Sequence, residues 1–298
     1  MRCELRVRFM CDKVRNFNDT CETSMMPEVL ADHALACRLE RAEGLTNAGF
    51  VEARARLMPE SRAKWISVAG ALAMFDGVNS PCTQTFGLGL FHTPTEEELS
   101  EIEKFFKARG APIFHEVSPL ADKALLPVLS QRGYRPFEMS NVLFLPLAAR
   151  ASAAVARDAG AVAVRVIGEE ERELWANTSA EGWSETPALK DLIFEMGRVV
   201  VAAEGNTSFL AELDGQAIGA GSLSVHDGVA IFAGASTIPA WRRRGAQQAL
   251  LETRFQYALQ AGCDLAMMVA EPGSSSQRNA ERQGFRIAYT RTKWTLAK

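Results

Sequence analysis

The sequence predicts an α/β (α+β) fold in which two related mixed-sheet domains follow each other along the chain. Strand-like and helical stretches alternate through most of the 298 residues. The segment 86–147 has the same order of elements as the segment 229–297: strand, helix, strand, short helix, strand. The short helix ends in the similar motifs Arg-Gly-Tyr and Gln-Gly-Phe. A duplicated unit explains these observations, and the length suits two domains of roughly 100–200 residues each.

The first half opens with a helical pattern that is followed by strands. The pattern predicts one helix that closes at Gly44 and a second that ends before Pro59. Two strands are then expected, at 64–75 and 82–91, with a turn at the intervening DGVNSP.

A capping box marks the next helix of the first half. Thr95 is a good N-cap, Glu98 completes the box three residues later, and Gly110 ends the helix. The remaining predicted elements of this half are a strand at 112–120, a helix that ends at Gly133 and a strand at 137–147.

The second half begins after an Ala-rich stretch that is poor in large apolar residues. We predict four segments: a disordered or extra N-terminal segment at 1–26, a first domain at 27–147, a linker at 148–161 and a second, complete domain at 162–298. The elements expected in the second domain are a strand at 162–167, helices at 168–183 and 187–200, strands within 207–237 with turns at Asp214-Gly215 and Asp227-Gly228, a helix after Gly245, a strand at 263–271, a helix at 274–285 and a strand at 287–297.

Composition and charge exclude several classes of function. A net charge of −3 gives no reason to expect nucleic acid or an anionic membrane as a partner. No apolar run approaches the roughly 20 residues that span a bilayer, and the first residues lack an apolar core of the length expected in a secretory signal. The six cysteines and four histidines show no metal-ligand spacing, so we expect reduced thiols, no metal and a cytoplasmic protein.

The segment STIPAWRRRGAQQALL, residues 236–251, carries the strongest chemical signal. Three arginines precede Gly245 at the expected start of a helix, where the peptide dipoles already leave partial positive charge. This arrangement becomes favourable when an anion binds, because the glycine lets the backbone approach it and the first amides of the helix can donate to phosphate oxygens. The alternative is a solvated basic loop without a ligand. The matching helix of the first half opens with the acidic TPTEEELS, so that half is expected to act as a scaffold.

The residues from Thr237 to Gln247 resemble the acyl-CoA-dependent N-acetyltransferases of the GNAT superfamily, whose signature is Arg/Gln-x-x-Gly-x-Gly/Ala after a strand and a Pro. Arg242 takes the Arg/Gln place and Gly245 the first Gly, whereas Gln247 departs from the pattern. Ser276 to Phe285 resembles the family's second cofactor-contacting helix. The resemblance implies two GNAT-like domains in tandem, the first of them degenerate.

The resemblance also implies a site for acetyl-CoA beside the strand 232–238, which separates from its neighbour in this family. Backbone groups of the strand end would pair with the pantetheine arm, the amides of the turn and first helical residues would bind the pyrophosphate, and the second helix would reach the arm from the other side. Helix capping is the alternative role for Ser276. The residues implied are Ser236, Thr237, Ile238, Arg242, Arg244, Gly245, Ala246, Gln247, Gln248, Ser276 and Asn279.

The usual catalytic residues of the family are missing. Many members carry a carboxylate on the strand that here is AIFAGAST, and a Tyr where this chain has Ala280. Glu271 and Tyr289 are the substitute candidates, and water is the alternative proton carrier. In relatives the acceptor pocket is lined by the helical region that holds Glu181 and Trp183 here.

The leading hypothesis is therefore an acetyl-CoA-dependent N-acetyltransferase that acts on a primary amine of a small molecule or a protein. The first alternative is a CoA-binding protein without transfer activity. The second is an interaction module whose arginines dock an acidic partner. The sequence leaves the acceptor and the oligomeric state open.

Overall fold

The computed structural model describes residues 29–148 and 161–296, so the predicted N-terminal segment and most of the predicted linker lie outside it. The helices are α1 His33–Leu57, α2 Glu96–Lys107, α3 Leu125–Gln131, α4 Arg172–Glu181, α5 Pro187–Val200, α6 Ala246–Gln260 and α7 Ser275–Arg282. The strands are β1 Lys64–Val68, β2 Ala71–Phe75, β3 Gln84–Phe86, β4 Phe114–Val117, β5 Tyr134–Pro146, β6 Ala163–Val166, β7 Asn206–Leu213, β8 Gln216–His226, β9 Val229–Thr237, β10 Leu265–Ala270 and β11 Arg286–Leu296.

The strands form one mixed sheet of eleven in the order β1-β2-β3-β4-β11-β5-β10-β9-β8-β7-β6. The repeated order of elements is confirmed, because β3-α2-β4-α3-β5 in the first half corresponds to β9-α6-β10-α7-β11 in the second. In each half a parallel pair of strands, β3 with β4 and β9 with β10, brackets the crossover helix. The fold is thus a mixed α/β sheet built from two units of the same order.

The last strand of each half pairs with the other half. β5 runs antiparallel to β10, from Leu265 opposite Pro146 to Ala270 opposite Asn141. β11 in turn runs antiparallel to β4. The two exchanged strands also pair with each other along almost their whole length, from Arg286 opposite Phe144 to Leu296 opposite Tyr134. The two halves therefore share one sheet and cannot separate without breaking these strand pairs.

A buried ionic cluster lies where the exchanged strands meet α1. Arg291 on β11 is 2% exposed and contacts carboxylates of Glu40 and Glu43 on α1 and of Glu116 on β4. The Tyr289 hydroxyl donates to Glu40 Oε1 at 2.9 Å. Burial raises the pKa of Glu40 to about 7, against the opposing attraction of Arg291 and with help from the neighbouring carboxylates.

Helix α1 connects the two halves on one face of the sheet. It packs on strands of both halves, with Leu39 buried against Phe144 and Met267 in one apolar cluster. The prediction that this region holds two helices was wrong, because α1 continues through Gly44 to Leu57. Gly44 serves close packing instead: a Cβ there would lie 3.1 Å from Leu72 Cδ1.

The strand predictions of the first half also need correction. The predicted single strand at 64–75 is a hairpin, whose turn at Ala69-Gly70 has φ values of 53° and 74°. The predicted strand at 82–91 is a strand only at Gln84–Phe86. The capping box of α2 is confirmed, since Thr95 Oγ1 accepts from Glu98 N and Glu98 Oε2 accepts from Thr95 N. Both predicted Asp-Gly turns are confirmed by positive φ at each of their residues.

The second half has its own apolar core between α6 and the sheet. Three aromatic rings form its centre, with the Phe232 and Phe255 centroids 4.9 Å apart and those of Phe255 and Phe285 5.9 Å apart. Within the described residues no helix has the length and apolar character needed to cross a membrane. The same residues hold no group of three or more His, Cys, Asp or Glu side chains suited to a metal ion.

Candidate functional site

Strands β9 and β10 separate part-way along their length. Their parallel pairing covers only three residue pairs and ends at Ile231 opposite Met267, although β9 continues to Thr237 and β10 to Ala270. A bulge in β9 accompanies the separation: Ser222 pairs with Ala233 but Ala220 with Ser236, and Gly234 has a φ of 59°. The result is the wedge-shaped gap beside 232–238 that the sequence resemblance implied.

A cavity of about 470 Å³ occupies this gap. From the two separated strands it is lined by Phe232 to Ala235 and by Met268 and Val269. From the second half's helices and the turn between α4 and α5 it is lined by residues that include Trp175, Ser179, Trp183, Met196, Leu251, Arg254 and Ser276. No Asp, Glu, His or Tyr side chain is among the described residues that line it. The cavity is therefore a mainly apolar chamber without an obvious general base.

The first half also contributes to the wall. Thr46, Asn47 and Phe50 of α1 and the buried thiol of Cys82 face the same chamber. Burial raises the pKa of the Cys82 thiol to about 12, so this sulfur is protonated and apolar in character at neutral pH. The first half is thus part of the site as well as a scaffold for the shared sheet.

The arginine-rich turn lies at the start of α6. Arg243 and Gly245 have φ values of 65° and 91°, and Gly245 is the N-cap of the helix. Left-handed residues in such a turn orient consecutive amides toward one point, which makes an anion-binding concavity. Residues 242–245, Gln247 and Gln248 are exposed, whereas Ala246 is buried and anchors the first turn of the helix. The geometry therefore leaves the amides of this turn accessible to an anion.

The arginines of the turn are held by different contacts. Arg242 donates to Glu185 Oε2 at 2.6 Å and to Gly182 O at 3.0 Å, which ties the turn to the segment between α4 and α5. The Arg244 guanidinium stacks on the Trp241 ring at 4.9 Å. Stacking leaves its charge at the surface, where a phosphate could reach it.

The end of β9 presents backbone groups to the gap. Ile238 N donates to Ile218 O on the β8 side at 3.0 Å. Because amides alternate between the two edges of a strand, the N–H of Thr237 points away from β8 and toward the gap. The side chains here are used internally: Ser236 Oγ donates to Ser179 O, and Thr237 Oγ1 accepts from Gln247 Nε2 at 2.8 Å. The last contact ties the unusual Gln247 to the strand end.

The α7 region presents Ser276 to the cavity. Its alternative role as a helix cap is excluded, because the N-cap is Ser274, whose Oγ accepts from Gln277 N. Asn279 is exposed on the same short helix. Ser276 lines the cavity, whereas Asn279 is not among the described residues that line it.

The structure separates the catalytic and acceptor candidates. Trp183 lines the cavity with 42% of its surface exposed. Glu181 is outside the lining and accepts from Lys190 Nζ. Glu271 is exposed directly after β10, whereas Tyr289 is buried in the ionic cluster of the exchanged strands and does not line the cavity.

Sequence reasoning missed Trp175, Arg254 and the α1 residues. The indole Nε1 of Trp175 donates to Phe209 O and Gly221 O, and the ring fills the wall beside the bulge. Arg254 had a detectable signal: it interrupts a buried stripe of small and apolar residues at four-residue spacing, formed by Ala246, Leu250 and Ala258. The α1 residues had no such signal in the sequence, because their position beside the cavity depends on the tertiary packing of the two halves.

Comparison with known proteins agrees with this geometry. Residues 169–285 match the family model described as the acetyltransferase (GNAT) family. Residues 169–285 are thus identified as a GNAT acetyltransferase domain. Enzymes of this family catalyse acyl-CoA-dependent acetyl transfer, and the matched range includes the gap, the arginine-rich turn and α7. Among curated proteins, no relative matches the sequence significantly.

Solved structures share the fold over most of the chain. A GCN5-related N-acetyltransferase from Kribbella flavida matches with a TM-score of 0.61 at 18% identity, over 89% of this chain and 96% of that one. A tandem GNAT protein from the clavulanic acid biosynthesis pathway matches with a TM-score of 0.51 at 12% identity, over 76% and 77%. A GCN5-related N-acetyltransferase from Sphaerobacter thermophilus matches with a TM-score of 0.50 at 15% identity, over 76% and 81%. At these identities the likeness concerns the fold alone.

Proposed function

We propose that this protein is an acetyl-CoA-dependent N-acetyltransferase that transfers an acetyl group to a primary amine of a small molecule or a protein. The observation that carries the proposal is the gap between β9 and β10, which holds a cavity of about 470 Å³ and has the exposed turn 242–245 on the connection between the two strands. An elongated thiol ester with a pyrophosphate at one end fits such a combination of groove and anion-binding turn.

Acetyl-CoA would be held by backbone and by charge. The amides from Arg244 to Gln248 would donate to the pyrophosphate, with Arg242 and Arg244 adding charge-assisted hydrogen bonds. The edge of β9 that β10 leaves unpaired, at Ser236 to Ile238, would pair with the amides of the pantetheine arm. Ser276 and Asn279 on α7 would close the other side. When bound, the thioester supplies an acyl carbon that is open to attack by an amine.

The chain's own groups would then orient and stabilise the reacting atoms. Thr237 N–H, which faces the gap, is suited to donate to the carbonyl oxygen as negative charge develops there. Trp183 and the α1 residues Thr46 and Asn47 would form the acceptor side, where the amine is held in line with the carbonyl carbon.

As the C–N bond forms and the C–S bond breaks, one proton leaves the amine and one reaches the sulfur. Water is the simplest carrier because the described lining has no carboxylate, imidazole or phenol. Glu271, exposed after β10, remains the candidate carboxylate to receive it.

Titration calorimetry of acetyl-CoA into the wild-type protein and Arg244→Glu tests this proposal. We expect wild type to bind one equivalent and the variant to lose about 1.5–3 kcal/mol of binding free energy, the magnitude of a hydrogen bond to a charged group. Arg135→Glu, which reverses an exposed arginine on β5, is the matched control and should bind like wild type. Absence of binding to wild type would refute the proposal.

A second candidate is a CoA-binding protein that does not transfer the acetyl group. The lining without general acid or base favours it. Mass spectrometry of a panel of amines incubated with acetyl-CoA and the protein distinguishes the two functions. Only the transferase increases the mass of an amine, by about 42 Da, because an acetyl group replaces one hydrogen atom.

A further inference from the structure

Arg254 is a buried cation in the wall of the cavity. It lies on α6 with 3% of its surface exposed. Its Nε donates to Leu250 O at 3.1 Å, and its Nη1 donates to Ser222 O at 3.1 Å and to Ala233 O at 3.3 Å. Its Nη2 donates to no atom of the described residues. The guanidinium therefore has hydrogen-bonding capacity that the protein leaves unused.

No carboxylate of the described residues neutralises this charge. Arg291 is the other buried arginine of the described residues, and it contacts three glutamates. Burial lowers the pKa of Arg254 to about 10, with no opposing carboxylate, and the group stays charged at neutral pH. An unpaired buried charge is costly, whereas a charge that meets an anionic partner recovers much of that cost.

Strands β8 and β9 hold the guanidinium in a fixed position. The backbone at Gly221 passes directly beneath the guanidinium, and a Cβ there would lie 3.4 Å from Arg254 Cζ. The carbonyls that hold Nη1 belong to the bulge, and the ring of Phe232 lies 5.1 Å from Cζ. Phe232 and Ala233 are the first β9 residues beyond the end of pairing with β10. Arg254 is thus fixed at the closed end of the gap.

We propose that the ligand of this cavity carries a carboxylate and that Arg254 binds it. The inference rests on the transferase function proposed above and narrows its substrate class. The carboxylate can belong to the acyl donor, as in a dicarboxylic acyl-CoA, or to the acceptor, as in an amino acid. Both present the same planar anion to the same guanidinium.

Matched pairs of ligands distinguish the two sources. Calorimetry compares malonyl-CoA with propionyl-CoA, which differ by a carboxylate in place of a methyl group. Initial rates with acetyl-CoA compare each common L-amino acid with its carboxamide. We expect the carboxylate member to be favoured by about 10- to 100-fold in one of the two arms, the range of a hydrogen-bonded charge. Preference in the first arm assigns the carboxylate to the donor, and preference in the second assigns it to the acceptor.

Variants test whether Arg254 causes the preference. Arg254→Gln should abolish it while retaining affinity for CoA itself, and Arg254→Lys should keep part of it. Arg135→Gln is the control and should behave as wild type. If neither arm shows a preference in wild type, or if the preference survives in Arg254→Gln, Arg254 only ties the bulge and the inference is wrong. The comparison of matched ligands with the wild-type protein tests the inference even if a variant fails to fold. If wild type binds no CoA, the proposed function itself fails, and this inference with it; CoA binding without a preference overturns the inference alone.

Discussion

Gly245 combines a structural and a proposed binding role in one residue. Its φ of 91° is in the left-handed region, and it precedes the first helical amide of α6. A Cβ at this position would meet nothing within 4 Å, so a larger residue is opposed by backbone strain and not by a clash. The cost of a non-glycine residue there is about 1–2 kcal/mol.

Gly245→Ala should therefore lower stability and weaken acetyl-CoA binding together. Gly262 is a close match: it follows the other end of α6, has a φ of 76° and also has open space around its missing Cβ. We expect Gly245→Ala and Gly262→Ala to lose similar unfolding free energy in urea titrations. Only Gly245→Ala should lose affinity for acetyl-CoA in calorimetry. Equal affinity losses in both variants would show that the turn has no special role in binding.

Helix α1 carries an unsatisfied, buried hydroxyl on a residue that lines the cavity. Thr46 Oγ1 is buried without a hydrogen-bond partner in the described structure, and Thr46 lines the chamber. A buried hydroxyl of this kind is costly unless a ligand meets it. Its position on an element of the first half would make the proposed acceptor side of the site dependent on both halves.

Thr46→Val tests this dependence with almost no change in side-chain volume. If the hydroxyl binds the acceptor, KM for the acceptor should rise by about 3- to 10-fold, the size of a neutral hydrogen bond of about 1 kcal/mol. Thermal stability should hold or increase, because the variant removes an unpaired polar atom. Thr178→Val on α4, where Oγ1 already donates to Leu174 O at 2.8 Å, is the control and should change stability but not KM. An unchanged KM in Thr46→Val would exclude the contact.

The sequence predicted most elements but not how some of them pack. Caps and Asp-Gly turns are local, so Thr95 and the turn at Asp227-Gly228 were identified correctly. Gly44 was misread as a helix end because its reason, the side chain of Leu72 against the helix, is a tertiary contact. The β1–β2 hairpin was not predicted, because Ala69 adopts a φ of 53° in its turn and an alanine does not indicate such a conformation in the sequence. The arginine-rich turn could be found from local pattern, whereas the cavity wall from α1 could not.

The exchange of β5 and β11 organises the whole molecule. The alternation of side chains along a strand does not show which strand it pairs with. The pairing of each half's last strand with the other half could therefore not be predicted from the sequence pattern. The exchange joins the two halves in one open sheet and places α1 across both halves, and the side chains of Glu40, Glu43, Glu116 and Arg291 meet at its centre. The stability of the shared sheet should therefore depend on the protonation of this cluster.

The protonation of Glu40 determines whether stability rises or falls with pH. Its pKa is raised from 4.5 to about 7 in the folded protein, so between these values the folded state binds more protons than the unfolded state. The contribution of Glu40 to stability is then fully present below about pH 4.5 and is lost as the pH rises through about 7. Glu40→Gln keeps a neutral side chain at every pH and lacks this loss.

Urea unfolding of wild type and Glu40→Gln at pH 5, 6, 7 and 8 isolates this effect from the other titrating groups. We expect the stability of wild type relative to the variant to fall with rising pH, by up to about 1.4 kcal/mol per unit, and to level off above about pH 7. Glu101→Gln, at an exposed position of α2, should show a difference from wild type that does not change over this range. A Glu40→Gln difference that is flat or rises with pH would mean that Glu40 is ionised throughout.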